Sequence, residues 1–296
     1  VVTVPTAPFL TAYERVHNET YEGYLIDLLN ELRKYFVFEY EIHTSKDNRY
    51  GTISDNGTWS GMVGELLNNE TDLVVADFTV TEERMKVIDF SYPFMSTGIG
   101  ILAKRAPYFL SPGDVEIDDR IAEGGEVYRP MVFYPVASAN DLPNQDIVEY
   151  GAVRGGSTQA FFKNSQNAVY KKIGEHLQKN NENLPASAGE GFQRVINESG
   201  KYVFFMEEAS IDYYMGSTCA VTQMGNLINH RSYAIGMRKN FEHKESIDRA
   251  ILKLQEMNAL TRLRNKWFAR PTVCDKALDK VYMRNALNLL LTEVKQ

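Results

Sequence analysis

Residues 149–165 read EYGAVRGGSTQAFFKNS, a short strand-like run that leads through two glycines into a predicted helix headed by Ser157 and Thr158. Downstream, YVFFMEE (residues 202–208) is a second short apolar run, of the length a buried strand shows. SIDRAILKLQEMNALTRLRNKWF (246–268) carries apolar residues at helical spacing and predicts one long amphipathic helix. Upstream the same alternation recurs. YEGYLIDLLNELRKYF (21–36) predicts a helix, FEYEI (38–42) alternates like a half-buried strand, and SGMVGELLNN (60–69) predicts another helix. TDLVVAD (71–77) is a continuous apolar run of the kind a parallel strand buried on both faces requires. Strands alternating with helices imply an α/β fold with mostly parallel sheets.

The chain has 296 residues, enough for two domains with separate cores. A hydrophobic content of 44% with 24% charged residues reads as globular rather than disordered. The formal net charge of −7, with scattered basic residues, excludes a phosphate-backbone partner and hence nucleic acid. No apolar run reaches the roughly 18 residues that span a bilayer. The chain begins VVTVPTAPF, without initiator Met or signal pattern, and reads as a mature or excised fragment whose parent could still carry an anchor. Five scattered histidines and the lack of a CxxC motif point to no metal site and no cofactor. Cys219 and Cys274 are either two thiols or a pair closing a loop of 56 residues (219 to 274 inclusive), worth roughly 4 kcal/mol in the chain-entropy model. Four sequons, at Asn18, Asn56, Asn69 and Asn197, tilt the compartment towards an oxidising, extracellular one. Residues 105–134 combine Pro, Gly and acids without periodicity and read as a linker or surface excursion.

TVTEERMKVIDFSYPFMSTGIGIL (79–102) resembles a signature of the ionotropic glutamate receptors, as do RYGTISDNGTWSGMVGELL (49–67) and GAVRGGSTQAFFKNS (151–165). CAVTQMGNLI (219–228) and LQEMNALTRLRNKWF (254–268) extend the match. The motifs occur in order and at family spacing over nearly all of residues 1–103 and 135–275, and they resemble the kainate-type branch most. A lone IDFSxPF would be weaker, since bacterial amino-acid-binding proteins carry similar strings. The resemblance implies a two-lobed clamshell of the periplasmic-binding-protein type. Lobe 1 would comprise residues 1–98 and 232–296, and lobe 2 residues 99–231. The family's membrane channel segments would fall within residues 105–134, where the sequence carries none, so their deletion is expected. It further implies a disulfide between Cys219 and Cys274 and a weak homodimer through lobe 1.

An α-amino acid presents a carboxylate and an ammonium on one carbon, so its site needs an anion clamp and a cation acceptor at fixed separation. Taken alone, Arg84 in EERMK is an ordinary solvated charge. In the matched motif it takes the clamp position, where a guanidinium fork meets a carboxylate bidentately. Thr79 matches the supporting threonine. Glu207 matches the ammonium acceptor, with adjacent Glu208 the competitor that strand alternation sends to the other face. Asp77 stands where the family has proline, a position used through its backbone carbonyl. Ser157 and Thr158 read either as helix N-caps or as part of an anion site at a helix start. Tyr50 matches the aromatic roof over the ligand, or is a core tyrosine. Arg154 departs from the acid usual in the kainate pattern; it is either a solvated loop charge or a cleft residue holding a distal carboxylate or a small anion such as halide.

These readings together describe the extracellular ligand-binding domain of a plasma-membrane receptor, binding L-glutamate, or glycine or alanine, and closing to drive a channel. A transport solute-binding protein with the same pocket is the competing class, separated by reading the full gene for membrane spans near residues 105–134. An enzyme would need a nucleophile or an acid–base pair, and the sequence offers no such constellation.

Overall fold

The computed structural model describes residues 1–15, 18–54, 56–105, 136–198 and 200–268. The chain opens with strand β1 (Val2–Thr3), a hairpin of β2 (Thr11–Arg15) and β3 (Asn18–Glu22), helix α1 (Tyr24–Leu32) and β4 (His43–Thr44). Helix α2 (Gly61–Leu67), β5 (Leu73–Val74), α3 (Glu82–Val87) and β6 (Asp89–Phe90) follow. The long strand β7 (Met95–Lys104) then leads into a second unit: β8 (Glu149–Ala152), α4 (Ser157–Lys163), α5 (Ala168–Lys179), α6 (Ala188–Asn197), β9 (Tyr202–Glu207), α7 (Glu208–Ser217) and β10 (Val221–Met224). The chain returns through β11 (His230–Tyr233) and β12 (Gly236–Met237) to α8 (Lys244–Glu256) and α9 (Ala259–Trp267).

Two sheets result, ordered β4-β1-β5-β12-β6 and β10-β7-β9-β8. Each is covered on both faces. In the first, Val74 and Ala76 join α2 residues Met62, Val63 and Leu66 on one side, while Val75 joins α1 and α8 on the other. In the second, Ile99, Ile101, Val203 and Phe205 face α4 and α5, while Leu102, Phe204 and Met206 face α6 and α7. This period-2 division buries every one of those side chains, and each fully buried Leu, Ile or Phe contributes about 1.5–3 kcal/mol.

The sheets are mixed rather than mostly parallel. β1 pairs parallel with β4 and β5, and β8 with β9. The other pairings are antiparallel because β7 crosses out and β11–β12 cross back. β7 changes partner along its length: Met95–Gly98 pair with β11, and Ile99–Ala103 with β9. These two crossing strands connect the lobes of a clamshell.

Two local expectations change. FEYEI forms no ladder; only His43–Thr44 reach β1. Its alternation is nonetheless real, since Phe36, Phe38, Tyr40 and Ile42 pack on the α1 core, with Phe36 and Phe38 stacked at 4.5 Å. The long C-terminal helix is two helices, α8 and α9, broken at Asn258 with φ 53°. Asparagine tolerates that left-handed conformation and stops the helix there.

Candidate ligand-binding site

β5 runs on through Val75 to Thr79 and delivers the chain to α3, whose N-cap Thr81 accepts a hydrogen bond from the Arg84 backbone N–H at 3.3 Å. That cap fixes the turn from which Arg84 projects inward. Arg84 is 3% exposed, with its guanidinium over the Phe78 ring at 4.3 Å. It donates to the carbonyls of Thr79 (2.8 Å) and Gly51 (3.2 Å). Gly51 has φ 115°, and a Cβ there would lie 2.5 Å from Cγ2 of Val63, so only glycine brings this carbonyl to the guanidinium. Arg84 has no ion pair among the described residues. Burial pulls its pKa down to about 10, which still leaves it cationic at neutral pH.

Facing Arg84 across the cleft are the end of β9 and the start of α4. Glu207 closes β9, and Glu208 begins α7 rather than continuing the strand. Glu207 lines the cavity and Glu208 does not. Glu207 Oε1 accepts from the Thr79 hydroxyl at 3.4 Å and lies 3.7 Å from Arg231 Nη1, while Oε2 has no hydrogen-bond partner. At 3.7 Å the Arg231 contact is an ion pair too long for a hydrogen bond. Burial pushes Glu207 up to about 7, against the pull of Arg231.

Asp77 does more than supply a carbonyl. Its two carboxylate oxygens each lie 2.8 Å from the Tyr50 hydroxyl, which also sits 3.0 Å from the Thr6 hydroxyl. Burial raises Asp77 to about 6, with the Tyr50 hydrogen bond opposing. Tyr50 lines the cavity with its hydroxyl engaged on this acid.

Ser157 and Thr158 open α4, but neither caps it; Gly156 holds the N-cap position. The Ser157 hydroxyl instead lies 3.2 Å from that of Thr79 in the opposite lobe. A second bridge between lobes runs from Asn164 Nδ2 to Glu83 Oε1 at 3.3 Å. Together these walls enclose a cavity of 360 Å³, lined by Thr6, Tyr50, Asp77, Thr79, Arg84, Ser157, Thr158 and Glu207 among others.

Arg154 is not brought to this cavity. Val153 lines it, and the next lining residue is Gly156. Arg154 sits in a turn closed by the Gly156 N–H, which donates to the Val153 carbonyl at 3.0 Å. Its backbone N–H donates to Pro185 O at 2.9 Å. Arg231 is the functional residue the sequence reading missed: its guanidinium lies 5.1 Å from the Phe161 ring of α4 and pairs with Glu207. Of the sequon asparagines, Asn56, Asn69 and Asn197 are exposed and Asn18 begins β3. Cys219 is disulfide-bonded; Cys274, its expected partner, and nearly all of the excursion at residues 105–134 lie outside the described residues.

The two lobes, with a buried guanidinium and two half-buried carboxyls between them, define a clamshell of the periplasmic-binding-protein type. A family model described as the ligated ion channel L-glutamate- and glycine-binding site matches residues 1–107. The ionotropic kainate 5 glutamate receptor of Mus musculus is 30% identical over 346 residues, covering 85% of this chain and 35% of the receptor. The kainate glr-3 receptor of Caenorhabditis elegans is 28% identical over 368 residues, covering 93% of this chain and 43% of that receptor. The solved structure of Drosophila muscle GluRIIB complex with glutamate superposes with a TM-score of 0.77 at 28% identity, covering 91% of this chain and 98% of that one. The chain belongs to the ionotropic glutamate receptor ligand-binding domains. It spans 35% of the length of the mouse receptor.

Proposed function

We propose that this chain is the extracellular amino-acid-binding domain of a glutamate-gated ion channel and that L-glutamate is its ligand. The observation that carries the reading is the buried Arg84 guanidinium, which has no ion pair among the described residues and lines one cavity with the carboxyl groups of Glu207 and Asp77. A buried cation without a counter-ion is costly, and an α-carboxylate supplies one with matching bidentate geometry. Lobe 2 adds Ser157 and Thr158, and closure around the ligand pulls on linkers to the pore. We place the lobe boundaries at residues 98/99 and 231/232, where the crossing strands run.

Glycine or alanine is a second reading. It is favoured by the cavity lining, in which Arg84 is the one Lys or Arg among the described residues, so a second, side-chain carboxylate finds no further cation there. The Cys219–Cys274 disulfide, glycans on the exposed sequons, channel segments in the parent chain and a weak dimer through lobe 1 belong to the same proposal. Calorimetric titration with L-glutamate, glycine and L-alanine tests it. L-Glutamate is expected to bind most tightly; tighter binding of glycine or alanine selects the second reading, and no heat with any of the three overturns both.

A further inference from the structure

Three charged side chains line the cavity, Asp77, Glu207 and Arg84, and a fourth, Arg231, pairs with Glu207. They are not equivalent. Glu207 already has a cation, Arg231, at 3.7 Å, and that arginine is fixed in place over Phe161. Asp77 and Arg84 have no ion pair among the described residues. Among the side chains of the described residues only the Tyr50 hydroxyl reaches Asp77, one proton shared between two oxygens at 2.8 Å each, while a carboxylate offers about four acceptor sites. One acid and one base are thus left facing a single cavity, the charge complement of a zwitterion.

We propose that the Asp77 side-chain carboxylate is the charge partner of the ligand's ammonium and so a determinant of specificity for free α-amino acids. Glu207 Oε2, which has no hydrogen-bond partner, serves as a second acceptor. The inference rests on the amino-acid-binding reading and adds a residue whose side chain the family motif does not use. Bound ligand then leaves every charge paired: Arg84 with the carboxylate, Arg231 with Glu207, and Asp77 with the ammonium. Two acids beside one ammonium accept two of its N–H donors, so a ligand whose nitrogen carries only one hydrogen loses a bond at this end of the site.

The test is Asp77→Asn. An Asn carbonyl still accepts from Tyr50, so the substitution removes the charge while keeping the internal hydrogen bond. L-Glutamate affinity is expected to fall at least tenfold, the scale of a hydrogen bond to a charged group, in a chain that melts as the wild type does. A change under threefold overturns the proposal.

A measurement on the wild type needs no variant. Burial holds both acids partly protonated below neutral pH. The titratable and charged groups around them are Tyr50, Arg84, Tyr214, Arg231 and Tyr233. Between about pH 5 and 8 those arginines stay cationic and those phenols neutral. Calorimetry at about pH 5.5 in buffers of differing ionisation enthalpy should therefore record more than one proton released per L-glutamate bound, since a single carboxyl releases no more than one. One proton or fewer means that a single acid ionises on binding and overturns the two-acid arrangement while leaving the binding function intact; an unchanged proton release in Asp77→Asn then assigns the ammonium to Glu207. No binding by the wild type overturns both.

Discussion

The two walls of the cavity are built from different chemistry. Lobe 1 presents charge: a buried guanidinium capped into place, and an aspartate held by Tyr50, whose hydroxyl also meets that of Thr6. Lobe 2 presents the neutral hydroxyls of Ser157 and Thr158 at the head of α4; its one acid, Glu207, already leans on Arg231 of the returning strand. Charged contacts in a desolvated site supply most of the binding energy, whereas neutral hydrogen bonds supply about 0.5–1.5 kcal/mol each. Yet only contacts that exist in the closed state and not in the open one can drive closure. Lobe 1 therefore sets whether an amino acid binds, and lobe 2 sets how far binding shifts the clamshell.

The sharpest way to break this division is Arg84→Ala. Removing one partner of a buried charge pair costs roughly 2–5 kcal/mol, so L-glutamate affinity should fall about thirtyfold or more by calorimetry. Retained binding within threefold would mean that lobe 1 does not hold the carboxylate. Arg84 also lies over Phe78 and donates to the Thr79 and Gly51 carbonyls, so a thermal melt of the variant separates lost binding from lost packing.

The second expectation is a pair of opposite pH trends. Burial raises Asp77 to about 6 and Glu207 to about 7, above the ordinary carboxylate values of 3.8 and 4.5. The folded chain thus retains protons that the unfolded chain has released, and slope follows bound protons. Without ligand, this contribution to stability is fully present below about pH 4 and is lost as pH rises through 6 to 7, on the order of a few kcal/mol in total. Affinity for the ammonium runs the other way, rising across the same window as the carboxylates charge. Thermal melts with and without L-glutamate at a series of pH values should show the gap between the two curves widening from pH 5 to 7.5. A constant gap would mean that neither acid meets the ligand.

The same asymmetry explains what could be read from the sequence. Arg84, Glu207, Ser157 and Thr158 sit in contiguous motifs, so local sequence carried them to the cavity. The buried strands TDLVVAD and YVFFMEE were equally legible, because continuous apolar runs require burial on both faces. What escaped depends on contacts distant in sequence. Arg231, in HRSYAI, reads as a solvated charge until β11 is laid beside β7. The Asp77 side chain acquires its setting from Tyr50, a residue from another loop. Arg154 stood open between a solvated loop charge and a cleft residue: its place in a glycine-rich turn was visible, but not that Val153 and Gly156 line the cavity without it. FEYEI shows that period-2 alternation reports which face is buried and says nothing about whether a neighbouring strand is there to pair.

Thr158→Ala sharpens the comparison from the other wall. Thr158 is buried and lines the cavity. Losing one neutral hydroxyl contact costs about 1 kcal/mol, roughly fivefold in affinity. Because that contact belongs to the closed form, small-angle scattering at saturating L-glutamate should show a more open average for this variant than for wild type. Arg84→Ala at matched occupancy should not show that change. Equal compactness in both would remove the assignment of closure to lobe 2.

The smallest expected effect lies at the rim, where Asn164 Nδ2 donates to Glu83 Oε1 at 3.3 Å. This bond joins the lobes as directly as the Ser157–Thr79 contact does, but it is open to solvent. In water, donor and acceptor recover their hydrogen bonds from solvent once the lobes part, so the bond adds little to closure. Its acid is screened as exposed charges are. Asn164→Ala should therefore change L-glutamate affinity less than threefold and leave the scattering profile as in wild type. A loss as large as that of Thr158→Ala would place the closing force at the rim instead of inside the cavity. In that case added salt should weaken binding in the wild type and not in the variant, because only the wild type would draw on the Glu83 charge.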